Sequence, residues 1–159
     1  MKKGSTLFLQ VVIVLIGIVA LIVMIRFPLT EGRAINLDLF SIYADPFILY
    51  GYVASIAFFL ALYQAFKLLG YIRQNKVFSP SSVKALSKIK YCAFIVGASI
   101  VLAVLFIVTS HNKDDDPAGF IAIGILTTFI SIVVATAAAV FERILQSAMD
   151  IKAENDLLK

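Results

Sequence analysis

The sequence predicts an all-α integral membrane protein in which four transmembrane helices form a bundle. Of its 159 residues, 61% are apolar and only 15% are charged, whereas soluble domains carry about 25% charged residues. Four stretches of at least 20 residues contain no Asp, Glu, Lys, Arg or His, and each can cross a hydrocarbon core of roughly 30 Å. This composition excludes an ordinary soluble enzyme or nucleic-acid-binding module. The predicted spans of this single domain (residues 1–159) are residues 6–25, 47–69, 91–110 and 118–141.

The distribution of basic residues predicts which helix ends face the cytoplasm. Eleven of the 14 Lys and Arg residues lie in the N-terminal segment, in the connection between the second and third spans, and in the tail. The connections on the opposite side contain the other three. Because Lys and Arg are concentrated in short cytoplasmic connections, we expect both termini and the middle connection to be cytoplasmic.

The first span follows Lys2 and Lys3, a pattern shared with secretory signal peptides. Its apolar run is too long for a typical signal-peptide core and no A-x-A cleavage site follows it, so we expect an uncleaved transmembrane helix. Arg26 and Pro28 are expected to end this helix. The outer connection over residues 27–45 fits either a short interfacial helix or an extended segment.

Small residues recur at four-residue spacing in the spans, which lets helix backbones approach closely in lipid. We expect these positions to pack helices within one chain, and an interface between two chains is the alternative. They are Gly51, Ser55, Ala57, Ala61 and Ala65 in the second span, Ala93 and Gly97 in the third, and Ser131, Ala135 and Ala139 in the fourth.

A short amphipathic cytoplasmic elbow helix is predicted before the third span, with Ser79 as N-cap and Pro80 at the first helical position. A basic amphipathic helix beside two spans should lie in the interface, with its lysines towards anionic lipid head groups. We interpret it as an elbow that orients the third span, and a dedicated lipid sensor is the alternative. Its apolar face contains Val83, Leu86 and Ile89, and its basic residues are Lys84, Lys88 and Lys90.

The helical pattern of the fourth span continues into the tail, residues 142–159. No Gly or Pro occurs between residues 125 and 159, so we expect a cytoplasmic helix to at least Lys152. Its apolar face needs cover, either from the elbow helix or from a cytoplasmic partner. Asp150, Glu154 and Asp156 are then expected near the elbow lysines. The candidate partner contacts are Ile144, Ala148 and Ile151, and the same face contains Phe141 and Leu145.

The interiors of the spans lack the charged residues that an ion or proton pathway usually needs. Their most suggestive polar pair is Tyr63 and Gln64, for which we expect an interhelical hydrogen bond. One cysteine, Cys92, and one histidine, His111, are too few for a zinc site or a Ser/His/Asp triad. The acidic hairpin at residues 111–116 does not match an EF-hand loop and is expected to be solvated. The sequence therefore predicts no enzyme, no metal site and no cofactor.

Three segments carry a family resemblance. They are the run Phe-Phe-Leu-Ala-Leu-Tyr-Gln-Ala-Phe-Lys-Leu-Leu at residues 58–69, Phe78-Ser79 before the elbow, and Glu154-Asn155-Asp156-Leu157 near the end of the chain. The chain resembles the YoaS-like bacterial membrane proteins, a family of unknown function (domain-of-unknown-function family 2975), over essentially its whole length. The resemblance implies a small multi-pass protein of the bacterial cytoplasmic (inner) membrane. It brings no enzymatic activity and no assigned site residues.

These observations favour a non-enzymatic accessory protein that senses or binds a membrane-associated partner, such as a toxin, a peptide or a regulator. The alternative is a small exporter or permeability component, which would act as an oligomer because four spans are too few to enclose a path. A lipid-modifying enzyme that uses the outer Asp residues is a third hypothesis. The expected partners are the lipid bilayer, a membrane or cytoplasmic protein and another copy of the chain, and no nucleic acid is expected.

Overall fold

The computed structural model describes residues 3–30, 46–110 and 116–158, which form four long α-helices. Each helix is long and apolar enough to cross a membrane, so the prediction of an all-α fold with four candidate spans is confirmed for these residues. Most of the predicted outer connection and of the acidic hairpin lies outside the described residues. The helices are α1 (Lys3–Thr30), α2 (Pro46–Arg73), α3 (Pro80–Ser110) and α4 (Ala118–Leu158).

The first helix, α1, continues to Thr30, beyond the expected end at Arg26 and Pro28. Proline lacks the N–H that would bond to the carbonyl four residues earlier, and that carbonyl belongs here to Met24. The hydroxyl of Tyr52 in α2 donates to the Met24 carbonyl oxygen at 2.8 Å. A side chain from the neighbouring helix therefore replaces the missing helical hydrogen bond, which explains how α1 accommodates Pro28.

The second helix, α2, ends in a Schellman motif. Asn75 has a left-handed φ of 58°, and its N–H bonds to the Ile72 carbonyl at 3.1 Å. The Lys76 N–H bonds to the Tyr71 carbonyl at 2.8 Å. Asn adopts this backbone conformation more readily than most residues with a side chain. The chain therefore reverses direction within residues 74–79, and the turn is hydrogen-bonded.

The third helix, α3, begins with the predicted cap, since Ser79 Oγ accepts the Ser82 N–H at 3.4 Å and Pro80 is the first helical residue. From there α3 is continuous to Ser110. The prediction of a separate elbow helix is therefore wrong. Residues 81–96 contain no Gly or Pro, so no local signal separates the basic amphipathic turns from the apolar run.

The fourth helix, α4, begins after Pro117, where the Asp116 carboxylate accepts the Ala118 N–H at 3.1 Å. It then runs for 41 residues without a break. At about 1.5 Å per residue its length is about 60 Å, twice the thickness of a hydrocarbon core. The helix therefore continues through the predicted tail to Leu158, and the cytoplasmic location of that tail stays a prediction.

Consecutive helices pack in antiparallel pairs, α1 on α2, α2 on α3 and α3 on α4. Within the described residues α1 and α4 make no comparable contact, and each buries mainly one stripe. Within the described residues the four helices therefore form an open arrangement with α1 and α4 at its ends. The stripe of α1 is Thr6, Gln10, Ile13, Gly17, Ala20 and Met24, and that of α4 is Gly124, Thr128, Ser131, Ala135, Ala138, Glu142, Leu145 and Met149.

Small residues bring α3 and α4 close together. A Cβ atom added at Gly97 would lie 3.3 Å from Ser131 Cβ, and one added at Gly124 would overlap the Val104 side chain. The predicted small-residue positions of the third and fourth spans therefore lie in this contact, with one correction, because Ala138 is buried where Ala139 was expected.

Most large apolar side chains of the four helices remain exposed to the surroundings of the chain. In the most apolar part of each helix only 6–11% of the residues are buried inside the protein. Soluble monomers rarely expose contiguous apolar surface of this extent. The hydrocarbon core of a bilayer is the solvent that such a surface requires, so the fold is that of a membrane protein.

Candidate functional site

The start of α3 packs against the part of α4 that enters the tail. Leu86 and Ile89 of α3 form a buried cluster with Ala138 and Leu145 of α4. The apolar face predicted for the elbow therefore covers Leu145. It does not cover the predicted partner contacts, which the structure leaves on the next face of α4. Ile144 is 55% exposed, Ile151 is 67% exposed and Ala148 is half-buried.

An ion pair lies at the edge of the contact between α3 and α4, where the apolar spans begin. Lys90 Nζ lies 2.9 Å from Glu142 Oε2, with the two side chains 20% and 22% exposed. The Lys90 ammonium also lies 4.8 Å from the centre of the Tyr91 ring, a favourable cation–π contact. The pair therefore joins α3 to α4 next to the predicted membrane boundary.

The expected pairing of the α3 lysines with acidic residues near the end of α4 is wrong. Because α3 and α4 are antiparallel, Lys90 meets Glu142, and Asp150 accepts a hydrogen bond from Gln146 of its own helix at 3.0 Å. A sequence signal for the Lys90–Glu142 pair existed, since these two residues are the first charges beyond one end of their apolar runs.

Lys84 and Lys88 are exposed, and within the described residues neither has an acidic partner. They lie on the first turns of α3, which follow Arg73 at the end of α2 and Lys76 in the hydrogen-bonded turn. We call these four residues the basic corner. The three lysines predicted to contact the membrane surface therefore differ, because Lys90 is paired with Glu142 inside the protein while Lys84 and Lys88 are exposed.

A buried serine joins the turn of the basic corner to the start of α3. Ser82 is fully buried, and its hydroxyl donates to the Lys76 carbonyl at 3.2 Å. The Ser79 hydroxyl donates to the same carbonyl at 2.6 Å. One carbonyl of the turn thus accepts two side-chain hydrogen bonds, so the end of α2 and the start of α3 are tied together.

The side-chain hydrogen bonds between α1 and α2 do not come from the predicted polar pair. The Gln64 side chain is buried but makes no hydrogen bond within the described residues. Tyr63 is exposed, with the Lys67 ammonium 5.4 Å from its ring centre. Besides the bond from Tyr52 to Met24, Gln10 Nε2 donates to the Phe66 carbonyl at 3.2 Å. Gln10 is the one long polar side chain in the charge-free run of α1, which is the signal that could have identified it.

An apolar hollow of about 290 Å³ lies between α2, α3 and α4 in their predicted outer half. Beside it the Tyr50 hydroxyl donates to the Ser99 carbonyl at 2.7 Å. The lining contains no charged residue, histidine or cysteine, and its one ionisable side chain is Tyr50. It consists of Tyr50, Gly51, Ala54, Ser55, Phe58, Val96, Ser99, Ile100, Ala103 and Phe120.

No group of three His, Cys, Asp or Glu residues is close enough to hold a metal ion in the part of the chain that the structure describes. Cys92 is a free, half-buried thiol of α3. Of the acidic hairpin, the structure describes Asp116, which caps α4.

Comparison with known proteins gives the family. The family model described as "Protein of unknown function (DUF2975)" matches residues 29–158. The chain belongs to this family. It is also 42% identical over 160 residues to the "Uncharacterized membrane protein YoaS" of Bacillus subtilis (strain 168), and the match covers 99% of each chain. The resemblance inferred from residues 58–69 and from the two shorter motifs is therefore confirmed. No solved structure matches the chain.

Proposed function

We propose that this DUF2975 protein is a non-enzymatic protein of the bacterial cytoplasmic membrane that binds a membrane-associated partner at its basic corner. The proposal is based on the basic corner, where a hydrogen-bonded turn lies among four basic residues. None of the four is paired with an acidic residue in the described part of the chain. Both termini and the basic corner would lie in the cytoplasm, in agreement with the distribution of Lys and Arg.

The rigidity of the corner supports binding because it lowers the entropy lost when a partner docks. The Schellman motif, the Ser79 cap and the buried Ser82 hydroxyl fix the backbone before any partner arrives. Lys84 and Lys88, four residues apart on one side of α3, then present two positive charges at a fixed spacing. An acidic segment of a protein at the membrane surface has the complementary chemistry.

The absence of a catalytic arrangement in the described residues supports a non-enzymatic role. The apolar hollow contains no ionisable side chain other than Tyr50, and Lys90 and Glu142 neutralise each other in a structural contact. Neither arrangement supplies a nucleophile beside a base, the minimum for covalent catalysis.

The test is site-specific photo-crosslinking in living cells with the full-length protein. A photoreactive residue replaces Ser81, which is exposed beside the basic corner. We expect a protein adduct of defined mass that disappears in the Lys84→Glu/Lys88→Glu variant. The matched control is Lys152→Glu, which reverses an exposed lysine of the tail and should leave the adduct unchanged. Adducts to lipid alone, or an adduct of equal yield after the double charge reversal, would contradict the proposal.

The exporter hypothesis is distinguished by a flux measurement. Proteoliposomes that contain this protein alone should retain ions and small solutes as well as protein-free vesicles do. Release that depends on the protein would favour the permeability role over partner binding.

A further inference from the structure

A second apolar stripe runs along the end of α4, about 100° around the helix from the stripe that contacts α3. Its residues alternate at spacings of three and four, which is the a/d pattern of a coiled coil. We call it the α4 seam. Phe141, Ala148 and Asn155 occupy its a positions, and Ile144, Ile151 and Leu158 occupy its d positions.

The rest of the described chain does not cover the α4 seam. Ile144, Ile151 and Leu158 are 55%, 67% and 82% exposed. Leu86 of α3 packs in one cluster with Leu145, and α3 begins six residues earlier, at Pro80. Six residues span about 9 Å, so the first residue of α3 lies near residue 151 of α4. Residues 151–158 extend about 12 Å beyond it, and all eight are exposed.

The exposed apolar face at the end of α4 would be stabilised by packing against another helix. Short helices in water obtain most of their stability from packing of an apolar face rather than from intrinsic propensity. A shallow hollow of about 420 Å³ also follows the α4 seam along the tail. Its lining includes Ala148, Ile151, Asn155 and Leu158, with Lys152 and Glu154 on either side, the arrangement into which a facing side chain inserts in a coiled coil.

We propose that the α4 seam pairs with the α4 seam of a second copy of this chain as a parallel, two-stranded coiled coil. All copies inserted with one topology direct their tails to the same side of the membrane, so a two-fold axis along the membrane normal makes the two tails parallel. Asn155 then faces Asn155 of the second copy at an a position, where a single Asn favours an in-register pair of identical helices.

The position of α3 limits the assembly to two strands. In the heptad of the seam, Leu145 is an e residue and is buried by α3, so α3 occupies the flank that a third α4 strand would need. The seam is separate from the basic corner, which lies on α2, the turn and α3. Dimerisation and partner binding therefore succeed or fail independently.

The test is disulfide crosslinking of the full-length protein in native membranes, in a Cys92→Ala background. Single cysteines replace Ile151 or Leu158 on the seam, and matched cysteines replace Gln146 or Ala153 on the opposite, exposed side. Equivalent d residues face each other across the two-fold axis, within the reach of a disulfide. We expect a dimer band for Ile151→Cys and Leu158→Cys, and no such band for Gln146→Cys and Ala153→Cys.

A second measurement does not depend on cysteine substitutions in the tail. Ile151→Asp introduces charge into the seam and should abolish the dimer measured by mass in lipid nanodiscs, while Ala153→Asp, two residues away, should retain it. Equal crosslinking on both sides of the helix, adducts to a different protein at Ile151→Cys, or a monomer in nanodiscs would each overturn the proposal. The photo-crosslink at Ser81 should persist in Ile151→Asp, which separates this result from the proposed function.

Discussion

Replacement of Gly124 by Ala tests the close contact between α3 and α4. The added methyl group would overlap Val104 Cγ2 and lie 3.8 Å from Ile100 Cγ2. Valine is stiff at χ1 in a helix, so Val104 cannot rotate away easily and the two helices must separate. Gly51 of α2 is the matched control, because nothing lies within 4 Å of a methyl group added there.

Both substitutions gain stability from replacing a helical glycine, and only Gly124→Ala loses stability through overpacking. Gly→Ala inside a helix stabilises the folded state by about 0.5–1 kcal/mol. Overpacking costs about 1–3 kcal/mol, and the structure places that cost on Gly124→Ala alone. We therefore expect Gly51→Ala to raise the free energy of unfolding. The free energy of unfolding of Gly124→Ala should be about 1–3 kcal/mol lower than that of Gly51→Ala. Gly97→Ala, with its 3.3 Å contact to Ser131, should fall between them.

The assay is reversible unfolding in bicelles or mixed micelles, followed by the loss of helical circular dichroism. A double-mutant cycle supplies the internal check, because Val104→Ala removes the overlapping methyl group and should recover most of the loss in Gly124→Ala. If Gly124→Ala is as stable as Gly51→Ala, or if Val104→Ala fails to compensate, the close approach inferred for α3 and α4 is refuted.

Two further predictions concern the first hairpin and the orientation of the chain. Tyr52→Phe should lower the free energy of unfolding by about 0.6–1.5 kcal/mol because the Met24 carbonyl loses its donor. The loss should shrink in a Pro28→Ala background, where the restored N–H supplies that bond, and an equal loss in both backgrounds would exclude this explanation. In a Cys92→Ala background, Asp116→Cys should react with an impermeant thiol reagent in intact cells and Ser81→Cys only after permeabilisation, and the reverse pattern would overturn the orientation.

The four helices could be predicted because each charge-free run is long enough to span a bilayer and no charge interrupts it. Their arrangement could not, since helix association in lipid depends on local shape rather than on burial of apolar surface from water. Four-residue spacing correctly indicated Ala135 but selected Ala139 where the structure buries Ala138. These positions are 100° apart on the helix, and the choice depends on where α3 lies.

For the candidate site, the sequence predicted the local features but not the contacts between helices. The sequence pattern identified Ser79 as a cap and Leu86 and Ile89 as one face, because capping and periodicity are local properties. It assigned the wrong acidic partner to Lys90, because the antiparallel register of α3 and α4 is set by contacts of residues far apart in sequence. Gln10 was overlooked because its partner is a backbone carbonyl, which no side-chain pattern reveals.

Because α4 is unbroken, a tilt of its membrane-spanning part would also move its end outside the membrane. Its rigid axis continues for about 26 Å from Phe141 to Leu158, with no Gly or Pro to absorb a bend. Transmembrane helices change their tilt when bilayer thickness changes. A change in tilt of about 10° would move Leu158 sideways by about 4–5 Å if the helix stays straight. The position of the C-terminal end thus depends mechanically on the thickness of the lipid around the spans.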